Sequence, residues 1–209
     1  KFVAIGLNYS DHAKETGAKT PTEPIVFMKA TSSISGPYDD IEMPKDSSKL
    51  DWEVELAIVI GKETKNISEK EVSDHILGYC IVNDVSEREW QLEKSGQWVK
   101  GKSADTFGPT GPYLVTQDEI PDINNLNLIL EVNGKKMQSG NTKNMIFNVN
   151  FLISYLSKFM SLQPGDLITT GTPAGVGMGM KPQVFLKSGD NIKLSIDFLG
   201  EQNSKVVIK

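Results

Sequence analysis

The chain has 209 residues, of which 38% are hydrophobic and 23% are charged, and its formal net charge is −5 at pH 7. This length and composition predict a single globular domain with its own core, and the acidic balance argues against a nucleic-acid partner. The apolar runs are too short to span a membrane, and without a secretion signal we expect a cytoplasmic protein.

Strand patterns dominate the chain from its first residues. Because one of them follows directly on Lys1, the sequence leaves open a short upstream segment. Asn133-Gly134 predicts a two-residue hairpin, and Leu199-Gly200 indicates a second one. Cys80, the single cysteine, lies in an apolar run and is expected to be a small core residue. The predicted strands cover residues 2–6, 25–29, 53–60, 79–84, 111–116, 126–133, 135–139, 166–170, 192–198 and 203–208.

Helical patterns are few and are marked by capping signals. The first predicted helix covers residues 10–16, and the last covers residues 149–160. Between them, Ser68 with Glu71 and Ser86 with Glu89 form two capping-box patterns, which predict helices that end at Gly78 and near residue 96. Regular helices do not separate the strands, so we expect a mainly β (α+β) fold rather than a parallel doubly wound sheet.

Two glutamates lie inside an apolar strand pattern. Because strand side chains alternate, Glu53 and Glu55 share one face, about 7 Å apart at the backbone. Ala57 and Val59 continue this face, which disfavours an exposed edge strand. Like charges held together out of water are costly unless a hard divalent cation binds their oxygens. Asp84, at the end of another apolar run, is the third candidate ligand.

His12 is a candidate general base. It lies near the start of the first predicted helix, and Glu15, three residues later, shares its helix face. A carboxylate beside an imidazole orients the ring and raises its basicity. The same spacing is common in exposed surface pairs, so the sequence alone leaves both interpretations open. The other histidine, His75, lies in a charged segment and is expected on the surface.

Three further segments contain candidate substrate-binding residues. Lys102 lies in a loop with glycine and proline and can hold a carboxylate as a point charge. Thr172 lies in a glycine-rich segment after a strand, where the backbone can approach an anion closely. Arg88 and Gln91 are three residues apart on the helix predicted after Asp84, and so share a face. A solvated lysine and a tight turn are the ordinary alternatives for the first two segments.

Together these motifs resemble the fumarylacetoacetate hydrolase family over essentially the whole chain. Their order and approximate spacing carry the resemblance more than any single motif does. The motifs are Gly6-Leu-Asn-Tyr-Ser-Asp-His-Ala, Phe27-Met-Lys29, Asp51-Trp-Glu-Val-Glu-Leu-Ala, Asn83-Asp84-Val-Ser with Arg88, Gly101-Lys102-Ser, Met145-Ile-Phe and Thr170-Gly-Thr-Pro-Ala-Gly-Val-Gly.

The resemblance implies a fold, a cofactor and residue roles. The fold is a mixed-sheet β-roll of the family's C-terminal domain type, usually a homodimer. The cofactor is Mg²⁺ or Mn²⁺, with Ca²⁺ able to substitute in crystals. His12 and Glu15 would activate water. The implied metal ligands are Glu53, Glu55 and Asp84, and the implied contacts to a 2-oxo acid substrate are Lys102 and Thr172, with Lys29, Arg88 and Gln91 nearby.

The implied reaction is metal-dependent hydrolysis of a carbon–carbon bond in a 2,4-dioxo acid, giving a pyruvate-type acid and a second carboxylic acid. Residues 97–102 and 176–182 resemble the branch that acts on diketo-deoxy sugar acids such as 2,4-diketo-3-deoxy-L-fuconate, often labelled ureidoglycolate lyase. Oxaloacetate decarboxylation and keto–enol isomerisation fit the same residues. A metal-stiffened β domain that only binds carbohydrate or protein is the non-enzymatic alternative, which the pairing of His12 with Glu15 disfavours.

Overall fold

The computed structural model describes residues 1–208 and arranges them mainly as strands in mixed sheets, which confirms the predicted fold class. The strands are β1 (Phe2–Gly6), β2 (Ile25–Lys29), β3 (Ile34–Ser35), β4 (Ile41–Met43), β5 (Leu50–Asp51), β6 (Val54–Ile60), β7 (Ile76–Asn83), β8 (Ser86–Glu87), β9 (Gly108–Val115), β10 (Asn127–Val132), β11 (Lys135–Asn141), β12 (Leu167–Thr169), β13 (Asn191–Ile196) and β14 (Gly200–Ile208).

Two sheets and one short ribbon organise the strands. The larger sheet has the order β2-β1-β12-β6-β7-β9-β3, the smaller has the order β11-β10-β13-β14-β4, and β5 pairs with β8 alone. Within the larger sheet, β6 runs antiparallel to β7, with Val54 opposite Asn83. This register brings Glu53, just before β6, and Glu55, near its start, beside the end of β7, which Asp84 follows.

The alternation predicted for β6 is present in the structure. Leu56 and Ile58 join the main core, to which buried side chains of β10 and β13 also contribute. Ala57 and Cys80 belong to a second, smaller apolar cluster on the opposite face of the sheet. Burial raises the pKa of the Cys80 thiol to about 12, which fits the predicted core role and not a nucleophile.

The first and last predicted helices are confirmed. Helix α1 (Ser10–Thr16) ends at Gly17, whose φ of 67° is left-handed. The four-residue helix α2 (Val99–Lys102) follows later in the chain. Helix α3 (Val149–Phe159) begins after Asn148, whose side chain accepts the Phe151 amide at 2.9 Å. None of the helices in the described part of the chain has the length and apolar character needed to cross a membrane.

The two helices predicted from capping boxes are wrong in extent. Ser68 does donate to Glu71, but only a 3₁₀ turn (Val72–His75) follows, because β7 begins at residue 76 and pairs with β6. In the second case the Ser86 hydroxyl donates back to the Asp84 carbonyl, and the backbone of β8 pairs with β5. A short π-helical turn (Glu89–Glu93) replaces the longer helix. Tertiary pairing therefore overrides both local signals.

Candidate active site

The three predicted metal ligands converge. Glu53, Glu55 and Asp84 each offer a carboxylate oxygen within 4.8 Å of the others, and all three residues are buried. The strand register explains this, because the Asp84 amide donates to the Glu53 carbonyl at 2.9 Å where β6 and β7 lie side by side. Three carboxylates around one point form the donor set that hard divalent cations prefer.

Cations neutralise two of these carboxylates. Lys102 Nζ lies 2.8 Å from Glu53 Oε2 and 2.8 Å from Asp84 Oδ2. Arg88 Nη2 lies 2.6 Å from Glu53 Oε1, and Lys29 pairs with the other oxygen of Asp84. Burial alone would raise the pKa of Glu53, but Lys102 and Arg88 outweigh it and hold the pKa well below its usual range. Glu53 is therefore ionised.

Glu55 is different because, among residues 1–208, no cationic side chain pairs with it. Within the described residues, its one hydrogen-bond donor is the Gly171 amide, 2.8 Å from Oε2. Burial raises the pKa of Glu55 well above its usual range, and the charges of Asp84 and Glu53 raise it further. A bound divalent cation would remove this penalty, so the residues present fit such a group.

His12 and Glu15 form the predicted pair. His12 Nδ1 lies 3.3 Å from Glu15 Oε2, and the His12 side chain is 9% exposed. The amide of Gly175 donates to both oxygens of Glu15, at 2.9 and 3.1 Å, which fixes the carboxylate. With the Nδ1 hydrogen directed at Glu15, Nε2 is left as the basic nitrogen. His12 is buried and Glu15 is partly buried, so this is an oriented pair and not an exposed surface one.

The Asp51 carboxylate binds both Arg88 and the glycine-rich loop. It accepts the Nε of Arg88 at 2.8 Å and the backbone amides of Gly177 and Met178 at 2.7 and 3.0 Å. The Arg88 guanidinium also donates to the Gln91 side chain at 3.0 Å. Asp51 thus holds Arg88 and the glycine-rich loop in one arrangement.

Thr172 is fixed by bonds to two neighbouring strands. Its hydroxyl donates to the Val54 carbonyl at 2.9 Å and accepts from the Gln138 side chain at 2.8 Å. The Gln138 amide oxygen in turn accepts the Val54 amide at 2.9 Å. The hydroxyl is therefore used to position the loop, while the residue still lines the site.

One cavity of about 230 Å³ joins these groups. Its opening lies beside α1, β2 and the π-helical turn. Asp84 and Glu15 do not line it but contact Lys102 and His12, which do, and Lys29 contacts Asp84. The predicted site residues that line it are His12, Glu53, Glu55, Arg88, Gln91, Lys102 and Thr172.

Three further residues of this site give only a weak signal in the sequence. Asp51 belongs to one of the family motifs but was not predicted to be a site residue, although strand alternation places it on the same face as Glu53. Gln138 is a buried polar residue in the otherwise exposed or half-buried strand β11, a weak signal without its long-range partners. Trp98 lines the cavity, but a single tryptophan in a loop gives no indication of the side it faces.

Comparison with known proteins identifies relatives along the whole chain. The fumarylacetoacetate (FAA) hydrolase C-terminal family model matches residues 1–207. A Burkholderia cenocepacia protein named "putative hydrolase" is 61% identical over 203 residues, which are 97% of this chain and 72% of the relative.

Solved structures agree with this result. A fumarylacetoacetate hydrolase from Exiguobacterium antarcticum is 42% identical with a TM-score of 0.92, and the match covers 100% of this chain and 75% of that one. A 2-hydroxyhepta-2,4-diene-1,7-dioate isomerase from Mycobacterium marinum is 40% identical with a TM-score of 0.88, over 100% of this chain and 75% of that one.

Proposed function

The chain belongs to the fumarylacetoacetate hydrolase family and is an enzyme of that family, and we propose that it hydrolyses a carbon–carbon bond in a 2,4-dioxo acid. The observation that carries this proposal is the position of His12. His12 lines the same cavity as the clustered carboxylates Glu53 and Glu55, and Glu15 orients the imidazole ring through its contact with Nδ1. A base beside a candidate metal site is what hydrolysis by an activated water requires.

Glu53, Glu55 and Asp84 would hold a Mg²⁺ or Mn²⁺ ion. When bound, such an ion supplies Lewis-acid polarisation of the substrate's carbonyl oxygens. The lone amide bond to Glu55 and its raised pKa support this assignment, because they show that the ionised form of Glu55 is costly until a cation binds beside it. Lys102 and Arg88 remain as the fixed positive charges beside the substrate.

The chain's own residues supply the proton transfers. His12 Nε2 takes a proton from water, and the resulting imidazolium is stabilised by Glu15 through Nδ1. The water oxygen forms a bond to carbon 4 of the substrate, and the bond between carbons 3 and 4 breaks. The electron pair passes to carbon 3 and onto the 2-oxo oxygen as an enolate. A proton then returns to carbon 3, giving a pyruvate-type acid and a second carboxylic acid.

Lys102 would support the developing negative charge. Lys102 lines the cavity and is 2% exposed, so water screens the charge of its ammonium group little. The carboxylates of Glu53 and Asp84 keep the pKa of Lys102 above its usual value, although burial opposes this. Lys102 therefore remains a permanent cation and does not act as a base.

Isomerisation is the second candidate function. A related structure carries the name of a 2-hydroxyhepta-2,4-diene-1,7-dioate isomerase, and a keto–enol shift also needs one base and a stabilised enolate. Oxaloacetate decarboxylation and ureidoglycolate cleavage use subsets of the same groups. The distinguishing requirement of hydrolysis is a base that can activate water, and His12, which lines the cavity, fits this role.

An activity panel tests the proposal. Purified protein would be given Mg²⁺ or a chelator and then acylpyruvates, a diketo-deoxy sugar acid, oxaloacetate, a hydroxymuconate-type diacid or ureidoglycolate. We expect metal-dependent release of pyruvate from 2,4-dioxo acids as the fastest reaction. Isomerisation or decarboxylation without any hydrolysis would reject the proposal.

A further inference from the structure

We infer that the substrate's acyl group, the part beyond the attacked carbonyl, is uncharged and apolar and is not a second carboxylate. This inference rests on the proposed function, because it assigns the far end of the same 2,4-dioxo acid. It follows from how charge, burial and apolar surface are distributed along the cavity.

The charged groups form the inner floor of the cavity. Glu53, Glu55, Arg88 and Lys102 line it and are 6%, 1%, 3% and 2% exposed. The keto-acid end of a substrate carries negative charge, so it belongs beside Arg88 and Lys102. The opposite end must then extend away from this floor.

Phe27 and Trp98 form an apolar wall of the cavity next to the charged floor. The Phe27 ring centroid lies 5.3 Å from Lys102 Nζ and also 5.3 Å from the Trp98 ring, in an edge-to-face arrangement. Trp98 packs so closely on the backbone that a Cβ at Gly6 would lie 2.5 Å from its ring. The wall is therefore fixed in place next to the reacting groups.

The wall continues to the mouth of the cavity. Ile25 and Leu92, which also line it, are 36% and 44% exposed. The gradient from buried charge to exposed apolar surface orients the substrate with its keto-acid end inward and its tail along the wall. The cavity volume of about 230 Å³ is smaller than that of pockets for drug-sized ligands, roughly 300–1,000 Å³, so it suits a short acyl chain.

The wall offers no partner for a second carboxylate. In the part of the chain that the structure describes, the cations that line the cavity are Arg88 and Lys102, and both lie at the floor, where the keto-acid end belongs, and not along the wall. A carboxylate in the tail would lose water without gaining a cation, which is costly. An alkyl or aryl tail would instead bury apolar area against Phe27 and Trp98.

A binding comparison tests the inference without relying on turnover. The ligands are 2-oxohexanoate and 2-oxohexanedioate, which differ only by a methyl or a carboxylate at the far end. Calorimetry with the Mg²⁺-loaded protein should show the monoacid binding at least about tenfold more tightly. Equal affinities, tighter binding of the diacid, or no binding of either would overturn the inference.

A charge placed on the wall provides the second test. Leu92→Lys adds an ammonium group at the mouth, so the preference for the monoacid should fall at least about tenfold. Leu77→Lys is the matched control, because Leu77 is 47% exposed but does not line the cavity. We expect it to keep the wild-type ratio. An unchanged ratio in Leu92→Lys would contradict the proposed path of the tail.

Hydrolysis of 2,4-dioxoheptanoate separates this inference from the proposed function. If the monoacid is preferred in binding but no dioxo acid is cleaved, the reaction assignment fails and the tail assignment stands. If both 2,4-dioxoheptanoate and 2,4-dioxoheptanedioate are cleaved equally well and the two 2-oxo acids bind equally well, the reaction stands and the tail assignment fails.

Discussion

The carboxylate of Glu15 accepts the backbone amide of Gly175 at 2.9 Å, which connects the helix carrying His12 to the glycine-rich loop after β12. The approach is close, since a Cβ at Gly179 in the same loop would lie 2.5 Å from Cδ of Glu15. Helix α1 has only seven residues, too few to be stable alone. Its position, and that of the base, therefore depends on tertiary contacts of this kind.

We predict that residues 9–20 act as a lid over the cavity. Helix α1 is short, and residues 17–20 after it are exposed, so the segment should open locally at low cost in free energy and close when a ligand fills the cavity. Hydrogen exchange should show faster exchange of the α1 amides in the free protein than with Mg²⁺ and oxalate. Amides of α3 serve as the internal control. Equal protection of α1 in both states would count against a lid.

Replacing the base should separate two reactions. His12→Ala should lower acylpyruvate hydrolysis by roughly 10²–10⁴-fold, the usual contribution of a general base. Any oxaloacetate decarboxylation should be largely spared, because that reaction needs no activated water. Steady-state rates on both substrates and a Mg²⁺ titration of the variant provide the measurement.

The second histidine gives the matched control for this variant. His75 lies outside the cavity, where its Nδ1 is 3.0 Å from the Thr64 hydroxyl. His75→Ala should keep both activities near the wild-type values. Equal losses in the two variants, or equal losses on the two substrates in His12→Ala, would contradict the role of His12.

Glu55→Gln should stabilise the metal-free protein at high pH but abolish its stabilisation by Mg²⁺. Because the folded pKa of Glu55 is raised, the metal-free protein is most stable while Glu55 is protonated. Its stability falls as pH rises from the ordinary carboxyl pKa to the raised folded value. Glutamine does not titrate, so Glu55→Gln does not lose stability over this pH range. At a pH above the raised pKa, the metal-free variant should therefore be more stable than the metal-free wild type.

Denaturant unfolding across pH, with chelator or with Mg²⁺, checks this prediction. Mg²⁺ should stabilise the wild type and not Glu55→Gln, since the variant lacks one carboxylate ligand. The control is Glu63→Gln, at an exposed position outside the site, which should follow the wild type. A Glu55→Gln protein that keeps the full response to Mg²⁺ would show that Glu55 is not a ligand.

The homodimer implied by the sequence remains a prediction, and the structure offers a face for it. Ile34, Tyr113 and Leu114 are 46%, 62% and 47% exposed and line an apolar groove on the outer side of the larger sheet. Such surface is usually covered by a partner. Leu114→Glu should shift sedimentation toward monomer, and a wild type that is monomeric at micromolar concentration would refute the prediction.

Alternation and motif order were enough to predict which residues come together at the centre of the candidate site. Glu53 and Glu55 share a face because strand geometry requires it, and this holds wherever the strand lies in the sheet. The pairing of His12 with Glu15 follows equally from helix geometry. These predictions depend only on local periodicity, which the folded chain retains.

The contacts that the sequence could not predict depend on distant partners. Gln138 matters through Thr172 and Val54, and Asp51 matters through Gly177 and Arg88, all far away along the chain. The capping boxes failed for a related reason, because strand pairing outweighed a local helix signal. Neither effect can be derived from a short window of sequence.

Hydrolysis in ¹⁸O-enriched water tests the central claim most directly. The Mg²⁺-loaded protein would cleave 2,4-dioxoheptanoate, and mass spectrometry would follow the released butanoate, whose carboxylate does not exchange with water as a ketone does. The account predicts at least one ¹⁸O in butanoate, equimolar pyruvate and no carbon dioxide. Release of carbon dioxide, or an isomerised substrate without butanoate, would contradict it.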